Sequence, residues 1–240
     1  GTLGAEIVRV AAGRGHGVRS LSRATGVDVR DGRGLENALR GSDAVIDALS
    51  LPSQSEAKAV AFFEQTSERL LEAERRAGVG HHLAVSIVGI DRAPYGYYAG
   101  KVAQELAVEA GGVPWTIQRA TQFHDFARQM FQGFAFGPVH PVITAPVQPV
   151  AISELAARVV DLVERGPSGR ATDFAGPREE ELGAMMRAWA KHTGARVWMP
   201  RVLLPGSYGA ALRDGSALPD TSAELGRITF EDWLSQQPPG

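Results

Sequence analysis

The 240 residues carry 25 Lys and Arg against 27 Asp and Glu, a formal net charge of -2, with 44% hydrophobic residues and no cysteine. The missing cysteine excludes disulfide staples, a thiol nucleophile, a cysteine-ligated zinc and an iron–sulfur cluster, and the balanced charge without basic runs argues against nucleic acid or an anionic membrane as partner. No apolar stretch reaches the roughly 20 residues that span a bilayer and nothing at the start resembles a signal peptide, so the expectation is a cytoplasmic protein, monomer or homodimer, acting on a small molecule.

Leu3, Ile7, Val10 and Ala11 fall at helical spacing, predicting a helix over residues 3–14 with Gly1-Thr2-Leu3-Gly4 at its mouth. A short strand is expected from Val18 to Ser22, a brief helix around Leu35 to Leu39, and a buried strand from Asp43 to Leu49. A long helix follows over 55–77, then an apolar strand from His82 to Gly89, a helix from about Tyr98 to Ala110 and a strand from Trp115 to Arg119. Alternating strands and helices predict an α/β fold, a Rossmann-like doubly wound parallel sheet. After about residue 124 prolines punctuate short extended pieces, with helices near 153–165 and 178–193. That half is expected to form a smaller C-terminal substrate lobe over 124–240, with 147–165 returning to the 1–123 core.

In such a fold a dinucleotide pyrophosphate rests on the amino end of the first helix. Gly1-Thr2-Leu3-Gly4 occupies that place and resembles the last two glycines of a phosphate loop. The strand that should precede it is missing from the sequence, so the first strand of the sheet is expected upstream of Gly1, the alternative being a domain that starts with a helix. Ser22 and Arg23 close the second predicted strand, where an acid would accept from the 2′-hydroxyl of NAD and an arginine would pair with the 2′-phosphate of NADP. NADP(H) is therefore expected over NAD(H).

Tyr97 and Lys101 stand four apart at a helix start, with Ser86 at the end of the preceding strand. Four tyrosines and three lysines predict about 0.05 such pairs by chance. Sharing one helix face, an ammonium would lower the pKa of a neighbouring phenol and let it donate a proton to a carbonyl. Tyr98 lies close enough to be the acting phenol instead. His81, His82 and His124 lack the spacing of a metal site, and no metal is expected; His124 could line the substrate pocket or pair with Asp125. A helix is expected over 122–133, on which Phe123, Phe126, Met130 and Phe131 form a stripe that is either a pocket wall or core.

Together Gly1 to Gly4, Leu21 to Arg23, Gly41 to Asp47, Ser86 to Asp91, Tyr97 to Lys101, Arg119 to Phe123, Val147 to Val150 and Ala175 to Pro177 resemble the NmrA-like NAD(P)H-binding branch of the atypical short-chain dehydrogenases/reductases, particularly its bacterial oxidoreductases. The resemblance implies Tyr97 as general acid, Lys101 on the nicotinamide ribose and lowering the tyrosine's pKa, and Ser86 on the substrate oxygen. It also implies Leu49 and Ser50 beside the adenine or its ribose, and Gln122 and Phe123 at the nicotinamide. The expected activity is hydride transfer between a nicotinamide cofactor and a small carbonyl or quinone-like substrate. Relatives that act as redox sensors, and the sugar-nucleotide epimerases and dehydratases, supply the alternatives.

Overall fold

A computed structural model describes residues 1–203, 209–210 and 213–239. Helix α1 (Thr2–Gly13) leads through a turn into α2 (Leu35–Leu39) and strand β1 (Ala44–Asp47). There follow α3 (Glu56–Ala77), β2 (His81–Ile87), α4 (Tyr97–Ala110) and β3 (Trp115–Ala120). Strands β1, β2 and β3 pair in parallel, Asp47 beside Ala84 and Ser86 beside Arg119. Parallel pairing sends the carboxyl end of every strand, and the amino end of the helix that follows, to one edge of the sheet.

Period-2 alternation divides β2 between two layers. Leu83 and Val85 face α1 and α6 (Ile152–Arg165), where Ile7, Ala11, Leu155 and Val159 are buried. On the opposite face Ala84 meets Leu71 of α3 and Val108 of α4. Helix α6 thus packs on the sheet beside α1, and Arg14 at the end of α1 pairs with Asp161 at 2.6 Å.

The remaining elements are α5 (Phe126–Gly133), β4 (Val142–Ile143), β5 (Pro146–Val147), β6 (Gly169–Arg170), β7 (Phe174–Ala175), β8 (Glu180–Glu181), α7 (Leu182–His192), β9 (Arg201–Val202), β10 (Glu224–Leu225) and α8 (Phe230–Ser235). Three of these rejoin the main sheet, with β6 and β7 on β3 and β10 on β7. A second core, formed by Phe131, Leu182, Met185, Met186, Trp189 and Phe230, lies among α5, α7 and α8. The aromatic stripe of α5 belongs to that core: Ala127 and Phe131 are buried in it and Phe126 and Met130 pack against it.

Three expected elements differ. Val18 to Ser22 forms no strand; no neighbouring strand is paired with it, and Arg19 ties the segment to the Ala38 and Arg40 carbonyls and the Ser42 hydroxyl. At Ser22 a capping box with Thr25 turns the chain into a 3-10 helix. The helix expected from 178 begins at Leu182, because Glu180 and Glu181 pair antiparallel with β5 and the Glu181 carboxylate caps the helix at Gly183 N and Ala184 N. Residues 122–125 are not helical, since Phe123 bridges Val150.

Candidate functional site

The candidate site draws on three features, two of them at the carboxyl edge of the sheet. The first is the mouth of α1. Gly1 is its N-cap, no side chain among the described residues caps it, and no acid occupies the first turn. A Cβ placed on Gly1 or Gly4 would meet nothing within 4 Å, so the first-turn backbone can be approached closely. Leu3 packs into the same cluster as Ala48, just past β1, and Phe123, just past β3, which seats this turn over the strand ends. Uncapped amides and the positive end of the helix dipole suit phosphate oxygens, so these residues fit the pyrophosphate of a dinucleotide.

The second feature comprises the turn at Ser22 to Thr25 and the residues that follow β1. Arg23 is exposed and makes no ion pair among the described residues, although it adds to the charges that hold the Asp28 carboxyl at about 2, chiefly through Arg30. Ser22 spends its hydroxyl on the turn. Leu49 and Ser50 follow β1, with the Leu49 amide donating to Asp47 Oδ1 at 2.9 Å.

The third feature is the start of α4. Gly96 precedes it at φ 57, a left-handed turn that a side chain would strain, and its amide donates to Glu56 Oε2 at 3.2 Å. Helical spacing puts Tyr97 and Lys101 on one face, and both meet Phe63 of α3: the Tyr97 ring lies edge-on at 5.6 Å and the Lys101 ammonium 4.9 Å from the ring centre. Gly100, between them, permits this approach, because a Cβ there would lie 2.7 Å from the Ala59 backbone.

Lys101 does not lower the phenol's pKa. Its ammonium, 3% exposed, turns toward the sheet, donating to the Val85 carbonyl at 2.7 Å and to Gln104 Oε1. Gln104 in turn donates to Asp47 Oδ2 at 2.7 Å. Burial pushes the Lys101 amine down to about 8, against the attraction of Asp47 and Glu105. Burial likewise pushes the Tyr97 phenol up to about 12, a backbone hydrogen bond with Leu51 opposing and Asp47 adding to the rise. Tyr98 is also raised by burial, and the adjacent Gln122 amide eases that rise.

His124 lies outside this grouping, whereas Ser86 directly follows Val85, whose carbonyl Lys101 holds. Ser86 is buried on the α4 side of the sheet beside Glu105, whose carboxylate is held low, despite burial, by Arg119, Ser86 and Arg170. A surface cavity of about 330 Å³ borders this ion-pair cluster, lined by Asp91, Val102, Glu105, Leu106, Arg119 and Arg170. His124 does not line this cavity. It is 1% exposed, packs against both Phe230 and Trp233 of α8 and donates from Nε2 to the Ile228 carbonyl at 3.0 Å, and burial pushes its pKa down. Asp125 pairs with Arg128 rather than with His124. His81 bonds Thr116 and His82 bonds Glu74, the latter two wholly buried; among the described residues no His, Asp and Glu group could hold a metal. Phe63, Asp47 and Gln104 escape sequence reading as parts of the site; the spacing of Gln104, three after Lys101, was their only signal.

Known proteins resemble this chain in family and in fold. A family described as NAD(P)H-binding matches residues 1–138. Comparison with curated protein sequences returns no match. Among solved structures, the chain is similar to an NADPH-dependent quinone oxidoreductase from Escherichia coli complexed with NADPH, with a TM-score of 0.70 and 16% identity over 98% of this chain and 96% of that one. A Citrobacter sp. triphenylmethane reductase complexed with NADP(H) gives 0.68 and 15% over 98% and 96%. A nucleoside-diphosphate-sugar epimerase from Staphylococcus aureus gives 0.69 and 14% over 98% and 97%. These likenesses show a shared Rossmann-like fold, and among the described residues no helix is long and apolar enough to cross a membrane. With more than half its length matched, glycine-lined helix mouth included, the chain belongs to the NAD(P)H-binding family.

Proposed function

We propose that the protein is an NADPH-dependent oxidoreductase that reduces a small carbonyl or quinone-like substrate. The observation that carries this reading is the phenol pair Tyr97 and Tyr98 at the start of α4, on the same sheet edge as the uncapped α1 mouth. The bound cofactor would supply the hydride. The amides of Thr2, Leu3 and Gly4 would hold its pyrophosphate, with Gly1 leaving room for the approach, and the exposed Arg23 would pair with a 2′-phosphate. Leu49 and Ser50 would border the adenosine, and Gln122 and Phe123 the nicotinamide. A phenol, Tyr97 or Tyr98, would deliver a proton to the substrate oxygen; for an aldehyde or ketone, whose carbonyl carbon accepts the hydride, C=O becomes CH–OH, and solvent returns the proton to the phenolate. A phenol held above its ordinary pKa by burial is fully protonated at neutral pH. Lys101 stabilises the site by fixing α4 to β2 and, through Gln104, to β1.

The test is NADPH consumption over a panel of aldehydes, ketones and quinones with wild type, Tyr97→Phe, Tyr98→Phe and the double variant. Removing the acting phenol should cost about 10²- to 10⁴-fold in kcat. Tight NADPH binding without turnover, or turnover indifferent to the double change, overturns the reading. The inward turn of Lys101 favours a second reading, a non-catalytic NAD(P)H sensor, and that first result is the one it predicts.

A further inference from the structure

Between β2 and α4 the chain runs through residues 88–96, the loop that delivers both phenols. Ile90 and Ala93 of this loop are buried and pack with Tyr98 in one cluster that Tyr97 joins from its edge. Their placement therefore sets where the rings sit. The loop is fastened at one side by the Val88 amide, which donates to the Ala120 carbonyl at 3.0 Å.

On its other side it meets a distant segment, residues 213–220. Gly89, at φ 80, approaches that segment backbone to backbone: a Cβ on Gly89 would lie 2.0 Å from the Ser216 carbonyl oxygen. Arg92 then grips it three times. Nε donates to the Ser216 carbonyl at 3.0 Å, Nη2 to the Leu218 carbonyl at 2.5 Å and Nη1 to Asp220 Oδ1 at 2.9 Å. Asp220 is 73% exposed, so its ion pair contributes little. The two carbonyls are main-chain acceptors in a turn closed by the Leu218 amide on the Gly215 carbonyl, with Ala217 buried at its centre. A guanidinium presents several donors in a rigid fork, which a lysine cannot copy. Downstream the same segment enters the sheet, where Glu224 pairs with Phe174.

We propose that Arg92 is a positioning residue: by clasping the Ser216 and Leu218 carbonyls it ties the phenol-bearing loop to the 213–220 segment, so that the far half of the chain sets the placement of the proton donor. The catalytic part of this inference rests on the reading of the phenols as proton donors; the clasp itself does not.

The experiment compares the wild type with Arg92→Gln, Arg92→Lys and Asp220→Asn, using Arg14→Gln, which removes a surface arginine's ion pairs elsewhere, as a stability control. Hydrogen exchange of the peptide covering 88–97 is measured in the free protein, and kcat and the NADPH KM are measured on whichever substrate of the panel turns over. Arg92→Gln should speed exchange of 88–97 by about fivefold or more and lower kcat by about tenfold with the NADPH KM little changed. Arg92→Lys should recover part of both, and Asp220→Asn should resemble wild type. Unaltered exchange in Arg92→Gln overturns the clasp, as does equal damage from Asp220→Asn or from Arg14→Gln. Faster exchange with kcat unchanged overturns the positioning role. If Arg92→Gln does not fold, Arg92→Lys carries the same comparison against Asp220→Asn. A wild type that turns over nothing defeats the oxidoreductase reading alone, and exchange still decides the clasp.

Discussion

Replacing Lys101 by methionine should change how stability depends on pH. Burial lowers the folded-state pKa from the ordinary 10.5 to about 8, so between those values the unfolded chain binds more protons than the folded one and stability rises with pH. At pH 7 the full cost of burying the charge is present, about 3 kcal/mol for a side chain only 3% exposed. Roughly 2 kcal/mol of that is relieved by pH 9.5. Lys101→Met deletes the titration. It also deprives the Val85 carbonyl and Gln104 of a donor, but that loss does not depend on pH and drops out of the comparison. Urea unfolding of both proteins at pH 7 and pH 9.5 gives the quantity of interest, the wild-type minus variant stability, which should grow by about 2 kcal/mol across the interval. A difference that stays flat would show that the amine is charged throughout or solvated, and would refute the burial argument.

Other perturbations test the packing and the cofactor edge. Gly100→Ala pushes a methyl to 2.7 Å from the Ala59 backbone, which cannot rotate away; overpacking of about 1–3 kcal/mol, partly offset by alanine's better helix propensity, should lower Tm by several degrees, whereas Gly13→Ala, with nothing within 4 Å, should not. Glu74→Ala leaves the wholly buried His82 without the carboxylate that, with Asp47, lifts its pKa against burial, and should cost about 3–5 kcal/mol in a urea titration; a loss under about 1 kcal/mol would mean water reaches the site. Arg23→Ala should weaken NADPH binding by about tenfold or more, read from cofactor fluorescence, and leave NADH unaffected; equal losses for both cofactors would remove Arg23 from the 2′-phosphate.

The parallel core was readable wherever burial and pattern coincide. Helix α3 and strands β2 and β3 fall within two residues of their expected limits because Gly78 stops α3 in a left-handed turn and β2 is buried on both faces. Val18 to Ser22 has an equally strand-like composition, yet pairing depends on a neighbour that composition does not specify. At the site, i to i+4 spacing correctly joined Tyr97 and Lys101 on one face. It could not show that the ammonium would bend toward Val85, a choice made by the carbonyl and amide waiting beneath α4. Ser86 shows the same limit: its place near a strand end was plain, but strand parity aims it at α4 and Glu105. His124 was hidden for a different cause, since α8, more than a hundred residues downstream, covers it.

The seating of α1 against α6 bears on how the molecule folds. Arg14 and Asp161 are 147 positions apart, and Ile7 and Ala11 find their apolar neighbours on α6. Closing so long a loop is slow, and the reward arrives only once the distant partner is structured. The turn proposed to hold the pyrophosphate is therefore among the last parts to become ordered. In a refolding experiment the far-UV helical signal should recover before NADPH binding does, and a ribosome-bound chain ending before Ile152 should not yet hold the nucleotide.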